Sequence, residues 1–208
     1  MITIAILAAA TIVAPPLVPG GCTAAASEHI NEAGCYLLSE MRATDLPSQV
    51  YWHVVEFPSL LDAEAEAVRH HWSKAVSAHD KIWLYVMGPR NEPVSGGVRR
   101  AIIGPLNIPK VGTVSIRFLT STFPAGMRTR VHSHPGSEAF FVLEGEQCVE
   151  TPTDRHRIAA GQSYIVQSGL HMQAAAKGRK SLVALILRPD AQWSQPESGW
   201  TPSDYCKN

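Results

Sequence analysis

Apolar and polar positions alternate along much of the second half of the chain, in short runs rich in valine, isoleucine, leucine and phenylalanine. Glycine, proline or aspartate separates these runs, which is the pattern of β-strands joined by turns. Many short strands at regular spacing predict an all-β sandwich or barrel. The predicted strands cover residues 81–88, 99–108, 112–123, 128–134, 138–145, 147–152, 156–161, 163–169, 171–176 and 181–188.

The segment 58–80 has a different period and predicts a helix. Ser59 or Asp62 can cap it, because a short oxygen-bearing side chain accepts the free amide hydrogens of the first turn. His70 and His71 are neighbours, so on a helix they point about 100° apart and are expected to be solvated rather than to share a metal. The apolar positions that recur at helical spacing are Leu61, Ala65, Val68, Trp72, Ala75 and Val76.

The N-terminal residues predict an export signal. The apolar run over residues 1–14 is too short to span a bilayer, and prolines and small residues separate it from the first charged residue, Glu28. We therefore predict a signal peptide over residues 1–26 and a periplasmic or secreted protein. Because no Lys or Arg stands near Met1, a misplaced start or an ordered apolar strand is the alternative. Cys22 follows two glycines and would carry a lipid anchor if the signal is of the lipoprotein type.

The four cysteines of the chain form no CxxC motif, which argues against a structural zinc site. Export would permit disulfides. Cys35 lies in a segment, residues 28–50, that shows little periodicity, and Cys206 lies near the C-terminus. These two cysteines are therefore the pair expected to join the ends of the chain, with unpaired thiols as the alternative.

Charge and size narrow the class of protein further. The 208 residues are enough for one domain with a real core. The 18 basic and 18 acidic residues cancel. No basic excess favours nucleic acid as a partner, and no run of lysine and arginine favours a lipid surface. We predict no membrane-spanning segment.

The stretch GMRTRVHSHPGSEAFFVLEG, residues 126–145, carries the candidate chemistry. Residues two apart on a strand share a face, so His132 and His134 point the same way. A Pro-Gly-Ser break then precedes Glu138, whose carboxylate can return to the same point if the two strands pair. Imidazole and carboxylate groups are ligands of transition metals. The alternative is an ordinary strand edge that carries polar residues.

The same residues carry a family resemblance. Gly126, His132, His134, Glu138 and Gly145 match the first motif of the cupin family at every fixed position. The resemblance implies a cupin-type jelly-roll β-barrel with a metal ion inside one end.

The second cupin motif is matched less well, by the stretch GQSYIVQSGLHMQAA. Gly161, Gly169 and His171 correspond to the motif, but Gln167 stands where proline is usual and Ala175 stands where asparagine is usual. The spacing between the second glycine and the histidine is one residue short. His171 is the expected third histidine ligand, and a strand histidine hydrogen-bonded in the barrel mouth is the alternative.

The resemblance also implies an organisation of the chain and a ligand set. The barrel core covers residues 112–188, after an N-terminal extension over residues 27–111 with one helix and early strands, and before a tail over residues 189–208. The extension is expected to extend the barrel sheet or to cover its mouth. A divalent transition metal, iron, manganese, zinc, nickel or copper, would be held by His132, His134, Glu138 and His171.

For function, the resemblance implies a metal-dependent, dioxygenase-like oxidoreductase that acts on a small organic molecule. A small-molecule-binding or sensing module without turnover is the alternative, and a homodimer is open. Arg128 and Arg130 share strand parity with the two histidines, so they are candidates to bind an anionic substrate, or else are solvated. Phe140 shares parity with Glu138 and is a candidate to line the pocket. Gln147, Gln173 and Tyr164 are further candidate polar contacts.

Overall fold

The fold is given by a computed structural model that describes residues 22–30, 32–109, 112–167, 169–175, 178–189 and 199–207. Most of the predicted signal peptide, residues 1–21, lies outside the described residues. None of the helices in the described part is long and apolar enough to cross a membrane. The elements are β1 (Gly34–Ala43), β2 (Val50–Phe57), α1 (Leu60–Ala67), β3 (Ser73–Ala78), β4 (Lys81–Gly88), β5 (Val98–Leu106), β6 (Val114–Phe123), β7 (His132–His134), β8 (Glu138–Glu144), β9 (Glu146–Glu150), β10 (Arg155–Ala159), β11 (Ser163–Val166), β12 (Gly169–Ala175) and β13 (Lys180–Pro189), with 3-10 turns at Ala26–Glu28 and Asp204–Lys207.

The strands form antiparallel sheets that pack in layers. A central sheet has the order β1-β6-β13-β8-β11, a second has β10-β9-β12-β7, and a third has β3-β4-β2-β5. The prediction of an all-β, jelly-roll fold is confirmed. Within the described residues, the sheets stack as an open sandwich and do not close into a barrel.

The central sheet is covered on both faces. Its strand β13 is buried at every position, which explains its nearly continuous apolar sequence. One face packs against Trp52, Trp83 and Tyr85 of the third sheet. The other face, with Leu119 and Phe140, faces the second sheet. The side chain of Glu138 projects into this second interior, where it contacts His171 of the second sheet.

The N-terminal extension has two different relations to the central sheet. Strand β1 extends this sheet by pairing with β6. Strands β2 to β5 form the third sheet and pack on its back. A register shift between Leu37 and Ser39 interrupts the β1–β6 pairing. Because such a bulge breaks the alternation of faces, β1 was not recognisable from periodicity.

The predicted helix over residues 58–80 is too long. Ser59 does cap α1, since its hydroxyl accepts the backbone N–H of Asp62, but the helix ends at Ala67. The following residues form β3, which pairs with β4 through a two-residue turn. Both turn residues, His79 and Asp80, have positive φ, at 54° and 57°. The pairing of β3 with β4 in this hairpin therefore outweighs the helical spacing of the apolar residues. The alanines among them are small and fit a strand equally well.

The expected solvation of both neighbouring histidines is wrong for one of them. His71 is exposed. His70 is buried, with Nδ1 2.7 Å from Oε1 of Glu92 and Nε2 3.2 Å from Oε1 of Glu66. Because the helix has already ended, the chain turns the ring of His70 inward, between two carboxylates.

The cysteines pair differently from the prediction. Cys22 is bonded to Cys35, 13 residues away, and Cys148 is bonded to Cys206, 58 residues away. The predicted Cys35–Cys206 pair is wrong because the C-terminal tail docks on β9, where Glu150 accepts the backbone N–H groups of the tail. The sulfur of Cys22 is in a disulfide, so it is not available for a lipid anchor.

Candidate metal centre

The three histidines come together through one short strand pairing. His132 and His134 lie on β7, and β12 runs antiparallel beside it. In this register His171 stands directly opposite His132, and Gly169 stands opposite His134. The degraded second motif thus still delivers a histidine to the position beside the first two.

Glu138 reaches the same point from the other sheet. β7 and β8 lie in different sheets, so the strand pairing that could have returned Glu138 to the two histidines does not form. The intervening turn crosses between the layers and is held tightly. A Cβ added at Gly136 would lie 2.5 Å from the carbonyl oxygen of Leu187, so glycine permits this close approach. Buried Ser137 accepts the backbone N–H of Asn107 at 2.7 Å.

The four predicted ligands converge inside the sandwich. All four side chains are buried, and one ligand atom from each lies within 4.8 Å of all the others. Nε2 of His171 is 2.6 Å from Oε2 of Glu138, and Nε2 of His134 is 3.5 Å from the same oxygen. Atoms on opposite sides of one ion at 2.0–2.2 Å are at most about 4.4 Å apart, so this cluster is close to the size that a single ion requires.

The rings of His132 and His134 are in the neutral form that binds metals. Burial lowers the pKa of His132 to about 4, and the charge of His171 adds to the effect. Nδ1–H of His132 donates to the carbonyl oxygen of Arg130 at 2.8 Å, which leaves the Nε2 lone pair available. Burial also lowers the pKa of His134. Near neutral pH both rings are therefore neutral, as a metal ligand must be.

Glu138 is ionised in the same surroundings. Burial by itself would raise the pKa of this carboxyl, but attraction to His171 and the hydrogen bond from it, with His134 and His132, outweigh burial and lower the pKa below its usual range. The centre therefore combines one carboxylate with the neutral imidazole rings of His132 and His134.

Three polar side chains connect to Glu138, and sequence reasoning recognised only two of them. Gln173 donates from Nε2 to Oε1 of Glu138 at 2.7 Å, and Gln147 donates from Nε2 to Oε1 of Gln173 at 2.6 Å. Lys180 donates to Oε1 of Gln147. Sequence reasoning missed the lysine because it begins an apolar strand. A lysine at that position is normally expected to mark the solvated end of the strand.

Gln167 also has a role that its motif position did not suggest. It stands where the family usually has proline. Its Oε1 accepts the hydroxyl of Ser137 at 2.9 Å, and its Nε2 donates to the carbonyl oxygen of Pro105 at 3.2 Å. The substitution therefore ties the turn before Glu138 to the end of β5.

For the candidate substrate residues the structure favours the alternative interpretation, in which the arginines are solvated and the phenylalanine is part of the core. Strand β7 begins only at His132, so Arg128 and Arg130 are not part of it, and Arg130 is exposed. Phe140 packs in the apolar core between the sheets. Two other arginines, Arg117 and Arg188, are buried, and their charges help to lower the pKa of His134. These two arginines share the carboxylate of Glu40.

Comparison with known proteins gives the following similarities. Residues 119–187 match the family model of the cupin domain. A cupin superfamily protein from Desulfitobacterium hafniense is 17% identical, with a TM-score of 0.34, over 36% of this chain and 68% of that chain. A cupin-2 domain containing protein from Shewanella frigidimarina is 21% identical, with a TM-score of 0.32, over 35% of this chain and 71% of that chain. The DMSP lyase DddQ from Ruegeria pomeroyi is 23% identical, with a TM-score of 0.35, over 39% of this chain, and the match spans only 42% of that lyase. No curated protein matches the sequence.

Proposed function

We propose, from the premise that residues 119–187 form a cupin domain, that this protein binds a divalent transition metal and acts as a dioxygenase-like oxidoreductase on a small organic molecule. The ion would be held by His132, His134, Glu138 and His171. The observation that carries the proposal is the convergence of four buried ligand atoms within 4.8 Å of one another.

The donor set supports a transition metal. Three imidazole nitrogens and one carboxylate oxygen suit iron, manganese, zinc, nickel or copper, and do not select among them. Such an ion, when bound with open positions, supplies a site for substrate coordination and, if it is redox-active, for electron transfer. The protein itself contributes the neutral imidazoles of His132 and His134, the imidazole of His171, an ionised carboxylate and a buried setting that limits the access of bulk water.

The two buried arginines support small organic acids as one substrate class. Arg117 and Arg188 are close enough to His134 to influence its pKa. Guanidinium groups pair well with carboxylates, especially where water is excluded. Because both arginines share the single carboxylate of Glu40, the three groups together carry one net positive charge that would favour an organic acid at the ion.

One observation favours the alternative of a small-molecule-binding or sensing module without turnover. The second cupin motif is degraded at Gln167 and Ala175, although the four ligand positions are kept. Ligands kept without the rest of the motif fit binding better than catalysis.

Metal content and oxygen uptake together test the proposal. The protein is purified without chelators, its metals are quantified, and oxygen consumption is followed with a panel of phenols, diketones and organic acids. We expect close to one metal per chain and oxygen uptake that stops when the metal is removed. Bound metal with ligand binding but no oxygen uptake would favour the sensing module. A chain that stays metal-free, even after incubation with each candidate ion, would contradict the metal-dependent enzyme and leave the small-molecule-binding module.

Export is a further part of the proposal, and the two disulfides support it because disulfides persist in oxidising compartments. We expect intact-mass analysis of the protein from its native host to show a shortened N-terminus. A mature chain that retains Cys22 has no free thiol, whereas cleavage after residue 26 leaves Cys35 as one reactive thiol. An intact Met1 would contradict export by a cleaved signal.

A further inference from the structure

A buried lysine lies in the same interior as the candidate metal ligands. Lys180 begins β13 and is 0% exposed. Its Nζ donates to Oε1 of Gln147 and lies 3.8 Å from the centre of the Phe123 ring. A fully buried lysine is rare, because burial removes the water that stabilises its charge. Such a residue calls for a specific role.

The lysine is the first member of a hydrogen-bond chain that crosses the sandwich twice. From Lys180 in the central sheet, the chain passes to Gln147 on β9 and Gln173 on β12 in the second sheet, and returns to Glu138 on β8. The two glutamine side chains are 0% and 6% exposed, so water competes little for these hydrogen bonds.

The two ends of this chain determine the orientation of every group between them. The ammonium form of lysine only donates hydrogen bonds, the neutral amine can still donate one, and an ionised carboxylate only accepts them. Each glutamine amide has one oxygen and one NH₂ group. Only one orientation of both amides satisfies the whole chain, with each oxygen toward the lysine end and each NH₂ toward Glu138. Turning either amide would place two donors or two acceptors against each other.

The consequence for Glu138 is that its two oxygens have different tasks. Oε1 accepts from Gln173 at 2.7 Å, whereas Oε2 faces His171 at 2.6 Å and His134 at 3.5 Å. We infer that Lys180 is a positioning residue for Glu138, acting through Gln147 and Gln173. The inference rests on the proposed function in so far as Glu138 is a metal ligand.

The first experiment does not depend on a metal. In ¹⁵N-labelled protein without metal, the side-chain NH₂ groups of Gln147 and Gln173 are followed by NMR in the wild type, in Lys180→Met and in the control Lys81→Met. Lys81 is a partly exposed lysine that pairs with Glu56 at the surface. We expect the Gln173 NH₂ signal to shift and to lose protection from exchange in Lys180→Met alone. An unchanged Gln173 signal in folded Lys180→Met would overturn the inference.

A second variant keeps the lysine and tests the donor and acceptor order along the hydrogen-bond chain. Gln147→Glu keeps an acceptor for Lys180 but offers no N–H to Gln173. If the hydrogen-bond chain does not position Glu138, this variant should leave the metal site unchanged. If the chain positions Glu138, Gln147→Glu should disturb the Gln173 NH₂ group as Lys180→Met does. The variant also keeps the test decisive if Lys180→Met fails to fold.

The affinity of the protein for Co²⁺ then tests whether the hydrogen-bond chain affects the metal centre. Co²⁺ binding is measured by competition with a chelator, and the d–d absorption bands of bound Co²⁺ report its coordination. We expect Lys180→Met and Gln147→Glu to bind Co²⁺ about 10- to 100-fold more weakly than wild type, the usual cost of losing an outer partner of a ligand. Wild-type affinity and bands in both variants would overturn the inference. Failure of the wild type to bind Co²⁺ would instead count against the proposed function, and the amide signals would still decide whether Lys180 positions Glu138.

Discussion

Alanine at both His132 and His134 should leave the protein without bound metal. The two side chains supply half of the candidate donors, and both present neutral imidazole nitrogens to the interior. We expect affinity for a divalent ion to fall by at least about 1,000-fold, clearly more than the roughly 10- to 100-fold that loss of an outer partner costs. Metal content after purification and Co²⁺ titration measure the change.

The matched control removes two histidines that lie outside the centre. His71 is exposed, and His156 packs on the ring of Tyr164. The double variant His71→Ala, His156→Ala should keep wild-type metal content. Thermal unfolding of both double variants shows whether either has lost its fold. Equal metal affinity in folded His132→Ala, His134→Ala and in the control would contradict the assignment of the centre.

His171→Ala asks separately whether the third histidine is a ligand. Its ring stands opposite His132 and its Nε2 is 2.6 Å from Glu138, so we expect it to lose most of the bound metal. Full occupancy in this variant would mean that His171 only holds the carboxylate by a hydrogen bond, which was the alternative role of a strand histidine.

Replacing both Cys148 and Cys206 with serine should cause the largest loss of stability. This disulfide closes a loop with a sequence separation of 58, and the loop entropy that it removes from the unfolded chain corresponds to roughly 4 kcal/mol. It also anchors the tail whose backbone N–H groups donate to the buried carboxylate of Glu150. Urea unfolding under non-reducing conditions measures the lower free energy of unfolding.

The other disulfide is the natural control for loop length. Cys22–Cys35 has a sequence separation of 13, for which the same relation gives roughly 3 kcal/mol. Cys22→Ser, Cys35→Ser should therefore unfold at a higher urea concentration than the first variant. A wild-type unfolding midpoint in Cys148→Ser, Cys206→Ser would show that the tail disulfide does not form. The opposite ranking of the two variants would show that loop length does not govern their stability.

The sequence by itself determined the features that depend on neighbouring residues. Alternation of apolar and polar side chains identified most strands from β4 onward, because a strand with one buried face carries that period locally. The spacing of His132, His134 and Glu138 identified three candidate ligands. Two of them share one face of a strand and the third follows a tight turn, so all three lie within seven consecutive positions.

Where local signals conflicted or were weak, sequence reasoning failed for identifiable reasons. The alanines and serines of Ser73–Ala78 satisfy helical and strand periods equally, and only pairing with β4 decides between them. The bulge at Leu37 hides the alternation of β1. The inward turn of His70 follows from the early end of α1, which its sequence does not mark.

Only the tertiary structure decided the features that join distant residues. The register of β12 on β7 brings His171 opposite His132 although the second motif is one residue short, because pairing and not motif spacing places the ring. The route from Lys180 to Glu138 uses side chains from four strands, and no sequence period connects them. The pairing of Cys148 with Cys206 depends on where the tail docks. Sequence patterns report which face of an element is buried, whereas the packing of sheets against one another determines which buried groups meet.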